Sequence, residues 1–98
     1  MRAGGEAHVY MMSNASRTLY IGVTSDLHRR VAEHRMGLGG FYTRKYTCTL
    51  LVWCEASPRM DDAIRREKEV KGWLRARKVA LIEGMNPRWR DLAADWYD

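Results

Sequence analysis

A carboxylate at position 67 interrupts an apolar helical pattern. Glu67 lies three residues after Ile64 and three before Val70, so helical periodicity puts it on the inward stripe. Burying an unpaired ionised carboxylate costs several kcal/mol, and Glu67 therefore needs a cation, a metal ion or a set of donors. Two explanations fit: an internal ion pair with an Arg of the first helix, or a hard metal such as Mg²⁺, completed by water and substrate phosphate.

Arg30 and His34 are four residues apart in a predicted helix, so both project from one face, beside the apolar stripe that includes Leu27 and Val31. If both were charged they would repel each other, and an anion bound between them would remove that conflict. Each residue alone also has an ordinary explanation: a half-buried histidine and a surface ion pair. Their placement together, opposite an inward Glu67, favours a site.

Tyr10 and Tyr20 lie in two β-rich runs separated by the polar turn at 13–17. Such a pattern predicts a hairpin, in which the two rings could lie on paired strands. Gly22 follows at the end of the second strand, where a glycine permits close approach of a backbone or a ligand. Packing alone is the alternative explanation for both tyrosines.

The elements around these residues predict an α+β fold: a small three-stranded antiparallel sheet flanked by helices. Residues 1–7 are expected to be a flexible tail and 8–98 a single domain. The strands are predicted near 8–13, 18–23 and 48–56. The third is so continuously apolar that we expect both of its faces to be covered and do not expect it at an edge.

Three helices and a final turn complete the predicted layout. The first follows the potential caps at 24–26, has Leu38 as the last residue of its apolar stripe, and ends at Gly37 or at the Gly39-Gly40 pair. The second is predicted from Ser57 and Pro58 to about residue 75, and the third over 77–83 with a stop at Gly84. The apolar stripe of the second helix is predicted to consist of Ala63, Ile64, Val70, Trp73 and Leu74. Asn86 begins the last turn, as a cap or as a site residue.

Positive charge is in excess and unevenly placed. Lys and Arg number 17 against 12 Asp and Glu, a net charge of +5, and thirteen of the cations are Arg. The basic segments 29–45 and 65–78 bracket an aromatic loop around Phe41 and Tyr42, a pattern typical of nucleic-acid binding, although a solvated basic surface would look similar. The residues expected to contact phosphate are Arg29, Arg44, Lys45 and Lys71.

The remaining signals exclude several classes of protein. Cys48 and Cys54 are too far apart along a strand to form a disulfide with each other, and no further Cys supports a structural zinc site. The longest strictly apolar run, 50–54, is far too short to span a membrane, and no secretory signal precedes the domain. We therefore expect a cytoplasmic protein.

Taken in chain order, the candidate residues resemble the motif set of the GIY-YIG endonuclease superfamily, and the layout is similar to its small stand-alone bacterial members. The matching residues are Tyr10 in Val9-Tyr10-Met11, Tyr20 in Tyr20-Ile21-Gly22, Arg30, His34, and Glu67 in Arg66-Glu67-Lys68. The resemblance spans residues 8–92. The chain departs from the family at the first tripeptide, which reads Val-Tyr-Met and not Gly-Ile-Tyr, and at Val23, where repair-type members often have Lys.

The resemblance implies hydrolysis of a DNA phosphodiester with Mg²⁺ or Mn²⁺. Glu67 would hold the metal, Arg30 would pair with the charge that develops on the phosphate, and Tyr20 would take a proton from the attacking water. Tyr10 and His34 would position that water or relay its proton. DNA is the expected partner; whether it is branched or single-stranded, and whether RNA is also a substrate, stays open.

Two other functions fit the same residues. A nucleic-acid-binding module without cleavage explains the basic surface equally well, but it gives no reason for an inward Glu67. A tyrosine nucleophile that forms a covalent phosphotyrosyl intermediate is the second alternative.

Overall fold

The sheet is antiparallel and its central strand is the first in the chain. The computed structural model describes residues 6–38, 40 and 45–97. Within them the elements are β1 Ala7–Ser13, β2 Leu19–Thr24, α1 Leu27–Arg35, β3 Leu50–Ser57, α2 Met60–Lys71 and α3 Arg75–Met85. The strand order is β2-β1-β3, with β1 antiparallel to both neighbours. This confirms the predicted α+β class and its three-stranded antiparallel sheet.

Alternation along β1 gives the sheet two different faces. Tyr10 and Met12 pack with Val31 of α1, while Val9 and Met11 pack with Val70 of α2. The two helices therefore cover opposite faces of the same strand.

The first helix begins where the sequence predicts. Asp26 is the N-cap, and its Oδ1 accepts a hydrogen bond from the Arg29 backbone N–H at 3.2 Å. The helix ends at Arg35, and Gly37 follows with φ of +78°, a left-handed conformation that glycine adopts without strain. Leu38 was expected on the apolar stripe, but it lies beyond the helix and is exposed.

The second and third helices differ from their predicted bounds. Ser57 belongs to β3, where it pairs with Ala7, so α2 begins three residues later than the predicted cap. Leu74 falls in the connection before α3 and is 84% exposed, and Ile64 is also largely solvent-facing. Gly84 does not stop α3, because the helical bonds continue to Asn86, whose N–H donates to Ile82 O at 2.7 Å.

The third strand lies at an edge of the sheet, and the prediction that it does not is wrong. Its apolar residues are protected because the C-terminal segment covers that edge. Leu92 N–H donates to Leu51 O at 2.7 Å, and Leu51 N–H donates to Asp91 Oδ1 at 3.1 Å. Asn86 Nδ2 donates to Val52 O at 3.0 Å.

Cys48 and Cys54 are both free thiols, as their spacing predicts. Of the helices in the described part of the chain, none has the length and apolar character needed to cross a membrane.

The buried Asn86 joins the end of α3, the C-terminal segment and β3. Its amide donates to Val52 O and to Arg90 O, and its Oδ1 accepts from Arg90 N–H. Asn86→Ala leaves these groups without partners, and we expect a loss of about 2–3 kcal/mol in unfolding free energy, measured by urea denaturation. Arg88→Ala, at an exposed neighbour, should change it by less than about 0.5 kcal/mol. Equal stability of the two variants would contradict this role.

Candidate active site

Tyr10 is the most enclosed polar side chain of the candidate site. It lies on β1 directly opposite Gly22 of β2, and its ring crosses the space where a side chain of residue 22 would be. A Cβ built on Gly22 would be 2.6 Å from Tyr10 Oη, closer than such atoms approach in proteins. Glycine is therefore required at position 22 by Tyr10 itself.

Three aromatic side chains from three elements meet at this point: Tyr10, Tyr20 and His34, here called the tyrosine–histidine cluster. The Tyr10 hydroxyl lies 2.9 Å from His34 Nε2 in a buried hydrogen bond. The ring centroids are 6.2 Å apart for the two tyrosines and 5.2 Å apart for Tyr20 and His34. The hairpin and α1 thus bring together the residues that the sequence singles out.

Burial fixes the protonation states of two members of this cluster. It raises the pKa of Tyr10 well above its usual range, and the neighbouring Tyr20 raises it further, whereas the positive charge of Arg30 acts in the opposite direction. Burial, and after it the charge of Arg30, lowers the pKa of His34 to about 4. At neutral pH Tyr10 is a phenol and His34 an uncharged imidazole.

Arg30 lies beside the cluster and is held by an acid of its own helix. Its Nε is 3.3 Å from Glu33 Oε1, while Arg29 Nε is 3.3 Å from the other oxygen of the same carboxylate. Arg30 is 41% exposed as a side chain, so its guanidinium is open to solvent and to a ligand. Glu33 was missed at the sequence level, although its spacing from the two arginines is that of helical ion pairs.

Glu67 faces inward, as its spacing predicts, but its partner is not an Arg of the first helix. Its side chain is 12% exposed, and Oε2 accepts from Lys71 Nζ at 2.7 Å, one turn along α2. Lys71 also lines a groove beside β2 together with Tyr20. Through Lys71 the carboxylate is linked to the side of the sheet where Tyr20 lies.

The predicted phosphate contacts are dispersed. Arg29 is exposed and paired with Glu33, and Lys71 is paired with Glu67. Lys45 lies with its Nζ 5.5 Å from the centre of the Tyr46 ring. Arg44 falls outside the described residues, as does the aromatic part of the loop at 41–42.

The comparison with protein families agrees with this geometry. The GIY-YIG catalytic domain family matches residues 6–80, a span that includes the tyrosine–histidine cluster, Arg30 and Glu67. The chain belongs to the GIY-YIG family. The family is generally one of nucleases. The segment beyond the match, 81–97, contains the residues that cover the edge of β3.

Relatives of similar size share most of the chain. The UPF0213 protein NP_0776A of Natronomonas pharaonis is 44% identical over 75 residues, which are 76% of this chain and 88% of that protein. UPF0213 protein VNG_2274C of Halobacterium salinarum is 43% identical over 75 residues and is covered to 97%. The solution NMR structure of UPF0213 protein BH0048 from Bacillus halodurans superimposes with a TM-score of 0.57 at 30% identity, covering 92% of this chain and 97% of that chain.

The low pKa of His34 has a consequence for acid stability. Unfolding returns the imidazole to its ordinary pKa near 6.5, so the unfolded chain binds a proton that the folded chain rejects between about pH 6.5 and 4. We expect this residue's contribution to make unfolding easier as the pH falls through that window, by up to a few kcal/mol.

The titration of His34 is checked by NMR of the imidazole carbons, which should change near pH 4. In His34→Gln the decline in unfolding free energy between pH 7 and 5, followed by urea denaturation, should be smaller than in the wild type. A His34 that titrates near pH 6.5 in the folded protein would contradict this description of the site.

Proposed function

We propose that the protein is a divalent-metal-dependent endonuclease that hydrolyses phosphodiester bonds of DNA. The observation that supports this most is the buried Tyr10–His34 hydrogen bond next to Tyr20 and Arg30. A binding surface has no need of a buried phenol and imidazole beside an exposed guanidinium. Hydrolysis needs groups that position a water and a cation that meets the charge developing on phosphate.

Glu67 fits a role as the metal ligand of this reaction. It is a largely buried carboxylate, and within the described residues no three His, Cys, Asp or Glu side chains cluster into a protein-only metal site. Mg²⁺ is commonly held by one or two carboxylates, with waters and substrate phosphate as its other ligands. When bound, such an ion supplies Lewis-acid stabilisation of the phosphate.

The residues of the chain divide the other tasks. Arg30 binds a non-bridging phosphate oxygen with its planar guanidinium and stabilises the extra negative charge of the transition state. Tyr20, the more accessible tyrosine, takes the proton of the attacking water in its phenolate form, after its own proton has been released to solvent. Tyr10 stays protonated and His34 neutral, so in this proposal they orient Tyr20 and the water and do not act as bases.

The ion pair between Glu67 and Lys71 favours one rival: a nucleic-acid-binding module without catalysis. It gives the inward carboxylate a structural partner at 2.7 Å, which a binding protein could retain for stability alone. The two functions therefore differ in what the charge of Glu67 does, and substitution of that charge separates them.

Glu67→Gln is expected to abolish Mg²⁺-dependent cleavage while leaving the fold intact. The partner Lys71 is 54% exposed and can be solvated, so the change in unfolding free energy should be within about 0.5 kcal/mol. The matched control is Glu69→Gln, which makes the same chemical change at an exposed acid of α2 paired with Arg66. Nicking of branched, single-stranded and duplex DNA is measured beside thermal melts. If Glu67→Gln cuts as fast as the control, Glu67 is not the metal ligand, and if the wild type with Mg²⁺ nicks none of these DNAs, the nuclease proposal fails.

Arg30→Ala is expected to slow the chemical step more than it weakens binding. A cation directed at transition-state charge contributes about 2–4 kcal/mol there, which corresponds to a single-turnover rate roughly 10²–10³ lower. Lys should restore only part of this, because it lacks the planar fork. Arg29→Ala removes the other partner of Glu33 and should alter affinity without changing the rate at saturating DNA. An unchanged rate in Arg30→Ala would mean that Arg30 only binds phosphate and does not stabilise the transition state.

A further inference from the structure

A groove runs along the outer side of β2, from the hairpin turn to Tyr20. It consists of two adjoining hollows of about 480 and 350 Å³ that share Leu19 and Lys78. The first is lined by the turn residues at 16–18 and by Arg75, and the second reaches Tyr20 and Lys71. One end of the groove is therefore at the tyrosine–histidine cluster.

Three of the four cations that line this groove differ from the arginines of α1 and α2 because they have no carboxylate partner. Five arginines of α1 and α2 form ion pairs with Asp or Glu: Arg29, Arg30, Arg35, Arg65 and Arg66. Arg17, Arg75 and Lys78 have no carboxylate partner in the part of the chain that the structure describes. The first turn of α3 also contains no acid. Three cations without an ion pair thus line one groove, while Lys68, Arg77, Arg88 and Arg90, which have no ion pair among the described residues either, lie outside it.

Arg17 is positioned for this groove at a conformational cost. Its φ is +65°, in the left-handed region where glycine is favoured and a side chain is strained. Its carbonyl accepts a hydrogen bond from Arg75 Nη2 at 2.8 Å, and its guanidinium lies 4.6 Å from the centre of the Trp89 ring. These contacts hold an arginine at a turn position where a glycine would fit without strain.

We infer that this β2 groove binds the phosphodiester backbone of a single nucleic-acid strand and leads it to Tyr20. A positively charged concave track is the common form of single-strand sites, whereas duplex reading inserts a protein element into a DNA groove about 12 Å wide. Lys78 and Arg75 contact successive phosphates, and Arg17 contacts the backbone at the far end. Binding of the strand in the groove does not depend on the proposed function. Only the statement that the strand is led to Tyr20 rests on that function, because Tyr20 belongs to the same site.

The test measures binding of a short labelled single strand, and of the duplex of the same sequence, by fluorescence anisotropy in EDTA so that no cleavage occurs. Lys78→Ala is the first variant, because the Lys78 side chain makes no hydrogen bond or ion pair among the described residues, and its backbone hydrogen bond to Leu74 O is kept in the variant. We expect roughly a 3- to 10-fold loss of single-strand affinity, and a salt dependence whose log–log slope is smaller by about 0.7. Lys68→Ala, which removes an exposed Lys of α2 outside the groove, should stay within about twofold of wild type.

Arg17→Gly distinguishes a binding role from a structural one. Glycine relieves the strained φ, so the melting temperature should stay the same or rise, while single-strand affinity should fall as in Lys78→Ala. A variant that melts lower and binds as the wild type does would make Arg17 a structural residue and remove it from the groove.

The inference is overturned if Lys78→Ala and Arg75→Ala bind the single strand as Lys68→Ala does, or if their losses occur only with the duplex. The nuclease proposal fails separately, if the wild-type protein with Mg²⁺ nicks none of the DNAs tested. Normal binding by the groove variants with Mg²⁺-dependent cleavage by the wild type would retain the enzyme and reject the groove. Loss of binding in the groove variants with no cleavage by the wild type would retain the groove on a binding protein.

Discussion

The contact between the Tyr10 ring and Gly22 is the constraint on which the site depends. Because residue 22 has no side chain, the phenol of the central strand can lie across the neighbouring strand and reach His34 on α1. That one hydrogen bond joins the sheet to the helix, and α1 also carries Arg30. A methyl group at position 22 would occupy the place of the phenol, so the glycine governs where a histidine and an arginine on another element can be.

Charge in this protein is divided between groups that the fold neutralises and groups that it leaves open. Glu33 holds Arg30 and Arg29 together, and Lys71 accompanies Glu67, so the residues proposed for chemistry begin with a counterion. In the proposed reaction, a substrate phosphate would replace Glu33 beside Arg30, and a metal ion would compete with Lys71. Such partners keep buried or half-buried charges acceptable before substrate binds.

Local signals in the sequence predicted much of this arrangement, and distant contacts account for what it missed. The hairpin, the Asp26 cap and the inward direction of Glu67 depend on neighbours within a few residues, and periodicity is enough to find them. Leu74 shares that periodicity but lies in a connection, because α2 ends earlier. The cover over the β3 edge could not be predicted, since it depends on Asp91, forty positions away from Leu51. The left-handed conformation of Arg17 could not be predicted, because arginine is not a residue type that favours it.

The two edges of the sheet meet the solvent in different ways. The C-terminal segment closes the β3 edge with backbone and side-chain hydrogen bonds, whereas β2 is the other outer strand of the described sheet and has Lys71 and Lys78 beside it. Lysines next to an open strand discourage another polypeptide from adding to it, since each must lose its hydration when a second sheet approaches. The lysines beside this edge would therefore disfavour edge-to-edge joining of copies of the protein, whether or not a ligand binds.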